Sequence, residues 1–285
     1  MSTFRMSAAS LLRSSEAGTL VDRVAEHVRI SGSGVGPSER LAWSRSLSVL
    51  SRDLVDAGLD RVEVIVEYKL PLTSKRADVV LAGRHPRTGA DSYVVVELKQ
   101  WSQAESFEGS PTLVTVQHMP GGPRLHPGVQ VGGYCEYLTD FLGIAAREPQ
   151  LIHGAAYLHN TTDDDVRDLF AEPATEQSRL FTGQRRGEFL DYLRGVLAPE
   201  PGTGAADRFL TSAVRWPAST GTSRSGGWSC CATGRGRPAS AAPKSVRRSL
   251  PPAASSARCP SVTSRSSRRC ARFAPTRRSA SRSGW

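Results

Sequence analysis

Asp78, Glu97 and Lys99 are the residues of this 285-residue chain whose types and spacing can do chemistry together. Glu97-Leu98-Lys99 closes the apolar run Ser92-Tyr93-Val94-Val95-Val96, and Asp78 heads Val79-Val80-Leu81 one hairpin upstream. Residues two apart in a strand share a face, so Tyr93, Val95, Glu97 and Lys99 point one way. If Ala82 pairs with Tyr93, the same register sets Asp78 opposite Glu97, with Cβ atoms roughly 4.5–5.5 Å apart. Two carboxylates at that range can grip one hard divalent cation, Mg²⁺ or Mn²⁺, which keeps several of its waters. The Leu98 carbonyl would add a further oxygen. Lys99 would orient water and, with the cation, stabilise charge developing on a phosphate. The chemistry is metal-dependent hydrolysis of a phosphodiester. An isolated E-x-K is more often a solvated charge pair. Here the valine run and Asp78 put the charges at the edge of a buried element.

The elements that must position these residues are legible as periodicities. Leu41, Trp43, Leu47, Leu50, Leu54 and Val55 recur at helical spacing over 38–58, with Gly58 as a stop. An earlier helix is expected over 15–29. Strands are expected over 61–68, 77–82 and 93–99, with a hairpin loop at 83–91 and a further short strand at 113–117. A second helix is expected over 127–142, started by His126-Pro127 and weakened by Gly132-Gly133. A buried strand over 151–159 and a helix beginning near 205 follow. The order helix, three strands, helix, strand predicts an α/β fold with a mixed sheet, a meander joined to a last strand across a helix.

These residues resemble the PD-(D/E)xK nuclease superfamily, whose core is a helix, a three-stranded meander, a helix and a strand. The resemblance implies a restriction-endonuclease-like core, with Asp78 as the metal-binding aspartate and Glu97-Leu98-Lys99 as the E-x-K. Gln130-Val131-Gly132-Gly133-Tyr134 resembles the Q-x-x-x-Y motif of the RecB-like branch. Residues four apart lie on one helix face, so Gln130 and Tyr134 would both reach the site and contact the scissile phosphate. Glu39 would match an acid that some members carry, or would simply complement its helix dipole. Glu67 is open in the same way. Over 36–215 the chain also resembles the nuclease-like N-terminal region of bacterial proteins with a Schlafen group 3-like helicase domain, through Glu67-Tyr-Lys-Leu-Pro71, Lys75-Arg-Ala-Asp-Val-Val-Leu81 and Val96-Glu-Leu-Lys-Gln-Trp101. In those proteins an ATPase follows. Here Pro201-Gly-Thr-Gly204 is followed by Ala205-Ala206 and not by G-K-[ST], so it is not a phosphate-binding loop.

The resemblance therefore implies an N-terminal helical extension (1–35), a nuclease-like domain (36–200), a linker to an absent ATPase or helicase domain (201–215) and a disordered basic tail (216–285). The implied partner is DNA or RNA. The alternative is a catalytically inactive nucleic-acid or partner-binding module with the same fold. Charge does not decide between them. Residues 1–207 carry 21 Lys and Arg against 27 Asp and Glu, a net −6, whereas 208–285 carry 16 basic residues and no acidic one. The chain's +10 belongs to its end. That end, beyond Trp216, lacks Asp, Glu, Asn, Gln, Ile, Met, His and Tyr. It reads either as a basic arm for nucleic acid or as a GC-rich gene translated out of frame. No C-x-x-C pair argues for zinc, and no run approaches the ~20 apolar residues of a membrane span, so a cytoplasmic protein is expected.

Overall fold

The structure is a computed structural model that describes residues 3–32 and 34–215. The tail at 216–285, expected to be disordered, lies outside the described residues. The fold is mixed α/β. In chain order the elements are β1 (Arg5–Ser7), α1 (Ala8–Glu16), α2 (Leu20–Ile30), α3 (Pro37–Asp56), β2 (Glu63–Lys69), β3 (Arg76–Arg84), β4 (Asp91–Leu98), β5 (Ala104–Ser106), β6 (Leu113–Val116), β7 (Arg124–Leu125), α4 (Pro127–Phe141), α5 (Gly143–Arg147), β8 (Ile152–Leu158), β9 (Arg179–Thr182), α6 (Arg186–Val196) and α7 (Thr203–Thr211).

Six strands form one sheet in the order β1-β2-β3-β4-β8-β9. β2, β3 and β4 are the expected antiparallel meander, and β8 joins β4 in parallel after α4 crosses over. β4 therefore sits inside the sheet with both faces covered, which is why its Val94-Val95-Val96 run need not alternate with polar residues. Val94 and Val96 face one core with Leu47 and Leu54 of α3 and Phe189 of α6. Tyr93 and Val95 face the other, with Val131 and Leu138 of α4 and Phe209 of α7.

The helices follow their sequence signals. Trp43, Leu47, Leu50 and Leu54 bury one stripe of α3, and Gly58 takes a φ of +74° just past its end. Pro127 opens α4, and the His126 Nδ1 accepts from the Gly128 and Val129 amides, satisfying two otherwise orphaned donors. β5, β6 and β7 make a separate three-stranded sheet between β4 and α4, where one strand was expected.

Three expectations require correction. The helix expected over 15–29 is two helices, divided at Gly18, whose φ is +68°. The segment 1–35, expected as an extension, is built into the body: β1 pairs with β2, and Phe4, Met6, Leu11 and Val24 enter the α3-side core. The segment 201–215, expected as a linker, carries α7, with Ala206 and Phe209 fully covered against the sheet. Gly202 permits this. A Cβ there would lie 2.0 Å from the Ala82 carbonyl oxygen and 2.7 Å from the Glu63 nitrogen. The glycine of Pro-Gly-Thr-Gly thus serves close packing onto β2 and β3, and the Gly202 amide donates to the Arg61 carbonyl at 3.0 Å.

Candidate functional site

The β3–β4 ladder runs in the expected register, with Ala82 opposite Tyr93 and Val79 opposite Val96. That register carries Asp78 to Glu97. The Leu98 amide donates to Asp78 Oδ2 at 2.9 Å, anchoring the aspartate to the end of β4. In an antiparallel pair a residue's N–H and C=O point to the same edge, so the Leu98 carbonyl also faces the Asp78 side.

β2 and β3 keep one register on both sides of a break: Val66 pairs with Val79 and Tyr68 with Ala77, while Glu67 and Asp78, opposite each other, drop out of the ladder. Glu67 has a φ of +53°, a region costly for a residue with a side chain. The alternation of faces resets there. Val66 and Val79 belong to the α3-side core, yet Tyr68 and Ala77 both belong to the α4-side core. Broken pairing of this kind re-aims side chains, and here the re-aimed residues are two carboxylates. Glu67 Oε1 accepts from the Trp43 indole at 2.7 Å, and Arg76 stands 3.6 Å from Oε2.

Glu97 is the centre. It is 2 % exposed. Its Oε1 accepts from Lys99 Nζ and from Gln130 Nε2, both at 2.6 Å. Its Oε2 is sealed from solvent and accepts from no N–H group, and the Glu97 carboxyl lies within hydrogen-bond reach of the Asp78 carboxyl. Gln130 is fixed by both amide atoms: Oε1 accepts from Lys99 Nζ at 3.2 Å, and Nε2 also donates to the Tyr134 hydroxyl at 3.0 Å. Lys99 Nζ lies 5.6 Å from the centroid of the buried Trp101 ring, a residue with no role legible in sequence. Asp78, Glu97, Leu98, Lys99, Gln130 and Tyr134 are therefore all brought together. Glu39 is not in this hydrogen-bonded set; its carboxylate accepts from the Gly36 amide at 3.4 Å, the helix-start role.

Burial raises the pKa values of Asp78 and Glu97. Lys99 opposes the shift at both; the Asp78 charge pushes Glu97 further up, whereas a hydrogen bond with Glu97 pulls Asp78 down. Burial and the Asp78 charge push Glu67 up to about 7, against the pull of the Trp43 donor. Three carboxylates thus resist ionisation in one place, a condition that a bound cation would relieve. Among the described residues, no three or more His, Cys, Asp and Glu side chains converge as a complete metal site. The donors that fit a cation are fewer: Asp78, Glu97 Oε2 and the Leu98 carbonyl, a set suited to a hard ion that retains water.

Sequence reasoning missed two features here. The left-handed Glu67 is one. The other is a polar chain on the α3 side of Lys99, formed by Gln100, Ser46 and His159. No protein-family model matches the chain, and no curated protein or solved structure matches it with significance.

Proposed function

We propose that residues 36–200 form a restriction-endonuclease-like core of the PD-(D/E)xK type, a divalent-metal-dependent nuclease domain hydrolysing phosphodiester bonds of DNA or RNA. The observation that carries the reading is the Glu97 carboxylate. One oxygen is held by Lys99 and Gln130, and the other is buried with no N–H donor, in a site where the Glu97 and Asp78 carboxyls lie within hydrogen-bond reach of each other. A buried carboxylate oxygen without a donor is costly, and a cation removes the cost.

Asp78 and Glu97 would hold Mg²⁺ or Mn²⁺, with the Leu98 carbonyl. When bound, the ion supplies a Lewis acid and lowers the pKa of water. Lys99 keeps a positive charge beside the reacting phosphate. The Gln130 amide and the Tyr134 hydroxyl present donors on the α4 side and fix the orientation of that phosphate. The Trp101 ring faces the Lys99 ammonium and favours its charge. An ATPase or helicase domain is the implied partner.

The test is cleavage of labelled DNA and RNA by the purified chain with Mg²⁺ or Mn²⁺. Lys99→Ala is expected to abolish cleavage with an unchanged circular dichroism spectrum. Equal activity of the two proteins would reject the assignment. The net −6 of residues 1–207 favours a second reading, an inactive binding module that keeps the fold. Under that reading Mn²⁺ binding is absent, or survives Asp78→Asn.

A further inference from the structure

The α3 side of Lys99 carries a directed hydrogen-bond chain that the nuclease reading leaves unused. Gln100 Nε2 donates to the Ala42 carbonyl at 2.7 Å and to Ser46 Oγ at 2.9 Å, so both amide protons are engaged. Ser46 Oγ lies 3.0 Å from His159 Nε2. A helical serine ordinarily turns its hydroxyl back to the carbonyl four residues earlier. For Ser46 that acceptor is Ala42, whose two lone pairs already take the Ser46 backbone N–H of the helix and Gln100. The Ser46 hydroxyl therefore donates to His159 Nε2.

That direction sets the imidazole tautomer. A neutral histidine whose Nε2 accepts carries its proton on Nδ1. Burial lowers the His159 pKa, which keeps the ring neutral. The side chain is only half-buried, and its Nδ1–H has no protein acceptor among the described residues. Its place follows from the sheet. β4 and β8 run in parallel with Leu98 opposite Tyr157, and the Lys99 amide donates to the Tyr157 carbonyl at 3.0 Å. Gln100 and His159 thus leave neighbouring strand ends together, one residue beyond Lys99.

We propose that His159 donates its Nδ1–H to a phosphate of the substrate strand next to the one held at Lys99. The strand then crosses the sheet end from Tyr134 on the α4 side to His159 on the α3 side. Ser46 and Gln100 are positioning residues that hold the tautomer. The proposal rests on the nuclease reading for its substrate class. Neutral donors of this type are ordinary phosphate contacts, and they fix register without reading sequence.

The experiment is fluorescence anisotropy of a labelled single-stranded oligonucleotide on the full chain, with Ca²⁺ replacing Mg²⁺. Cleavage is assayed in parallel with Mg²⁺, and thermal unfolding checks each variant. His159→Gln places an amide at the Nε2 position, keeping the Ser46 bond and losing the outward donor. It should weaken binding by about tenfold. His159→Asn places an amide at the Nδ1 position and should stay within about twofold of wild type, while Ser46→Ala should fall between the two. Equal affinities for the Gln and Asn variants overturn the contact. If wild type does not cleave but the Gln–Asn difference persists, the nuclease reading fails and the phosphate contact stands. If wild type cleaves and the difference is absent, only the contact fails. Wild type that binds no oligonucleotide overturns both.

Discussion

The regular half of the β2–β3–β4 ladder and its broken end obey different rules. From Val79 to Leu81 each strand pairs residue for residue, and every side chain is buried in an apolar core. At Glu67 and Asp78 the pairing lapses, the backbone turns left-handed at Glu67, and carboxylates replace valines. The regular half supplies stability. The broken end consumes some of it, because burial raises the carboxyl pKa values of Glu67, Asp78 and Glu97, and the Asp78 charge raises Glu67 and Glu97 further. Rigid sheet beside strained charge is how a fold holds a reactive arrangement that would not persist alone.

The comparison is broken most severely in the regular half. Tyr93 is fully buried, meets the Phe209 ring at a tilt with centroids 4.9 Å apart and donates to the Ala205 carbonyl at 3.1 Å. Tyr93→Ala should cost about 3–5 kcal/mol, as for other large aromatic truncations. Urea denaturation would measure it. A loss below about 1 kcal/mol would mean that α7 is not packed on the sheet as described.

The broken end should respond in the opposite sense. The folded pKa of Glu67, about 7, stands above its ordinary 4.5. Folding therefore favours the protonated form. Its stabilising contribution is complete below about pH 4.5 and is lost as pH rises through about 7. Glu67→Gln keeps an oxygen for the Trp43 indole and removes the charge. Above pH 7 it should stabilise the metal-free protein, by up to about 3 kcal/mol. At pH 4.5 it should have little effect. Urea midpoints from pH 4.5 to 8 would test this, and a flat difference would remove Glu67 from the charged cluster.

A divalent cation should reverse the same penalty. Mn²⁺ at about 100 times its dissociation constant stabilises a protein by about 2.7 kcal/mol. The gain should be large at pH 8 and small at pH 5, where Glu97, with its pKa pushed up to about 8, holds its proton. Asp78→Asn keeps an oxygen for the Leu98 amide but should abolish the Mn²⁺ shift. A shift that is equal at both pH values would place the ion elsewhere.

How much of this was legible depended on periodicity. The β3–β4 register could be read because a short hairpin joins two unbroken apolar runs, and a slip by one residue would have exposed the valines. α3 and α4 were legible for the same reason, as was the meeting of Asp78, Glu97 and Lys99, whereas Gln130 and Tyr134 were expected there only through the motif resemblance. β9 was not, since Arg179-Leu-Phe-Thr182 alternates too briefly to stand out from its loop. α6 carries Phe189, Leu190, Leu193 and Val196 at helical spacing and was overlooked behind Arg185-Arg186-Gly187. β1 is three residues long and exists only because β2 offers it an edge. The turn at Glu67 has no local signal. The partner that holds its carboxylate there, Trp43, lies twenty-four residues away.

That last contact gives the finest test of the comparison. Trp43→Phe keeps the ring in the α3-side core and removes the donor, 2.7 Å from Glu67 Oε1. A hydrogen bond to an ionised carboxylate is worth more than one to the neutral acid. The substitution should therefore cost about 1 kcal/mol more at pH 8 than at pH 5. Losing the donor should also move the Glu67 pKa further up, which NMR titration of a labelled carboxyl carbon would detect. In the Glu67→Gln background the pH dependence of the Trp43→Phe cost should vanish, because the charge it depends on is gone. Were it to persist, the indole would be acting on Asp78 or Glu97, and the broken end would be one coupled charge rather than a chain of separate contacts.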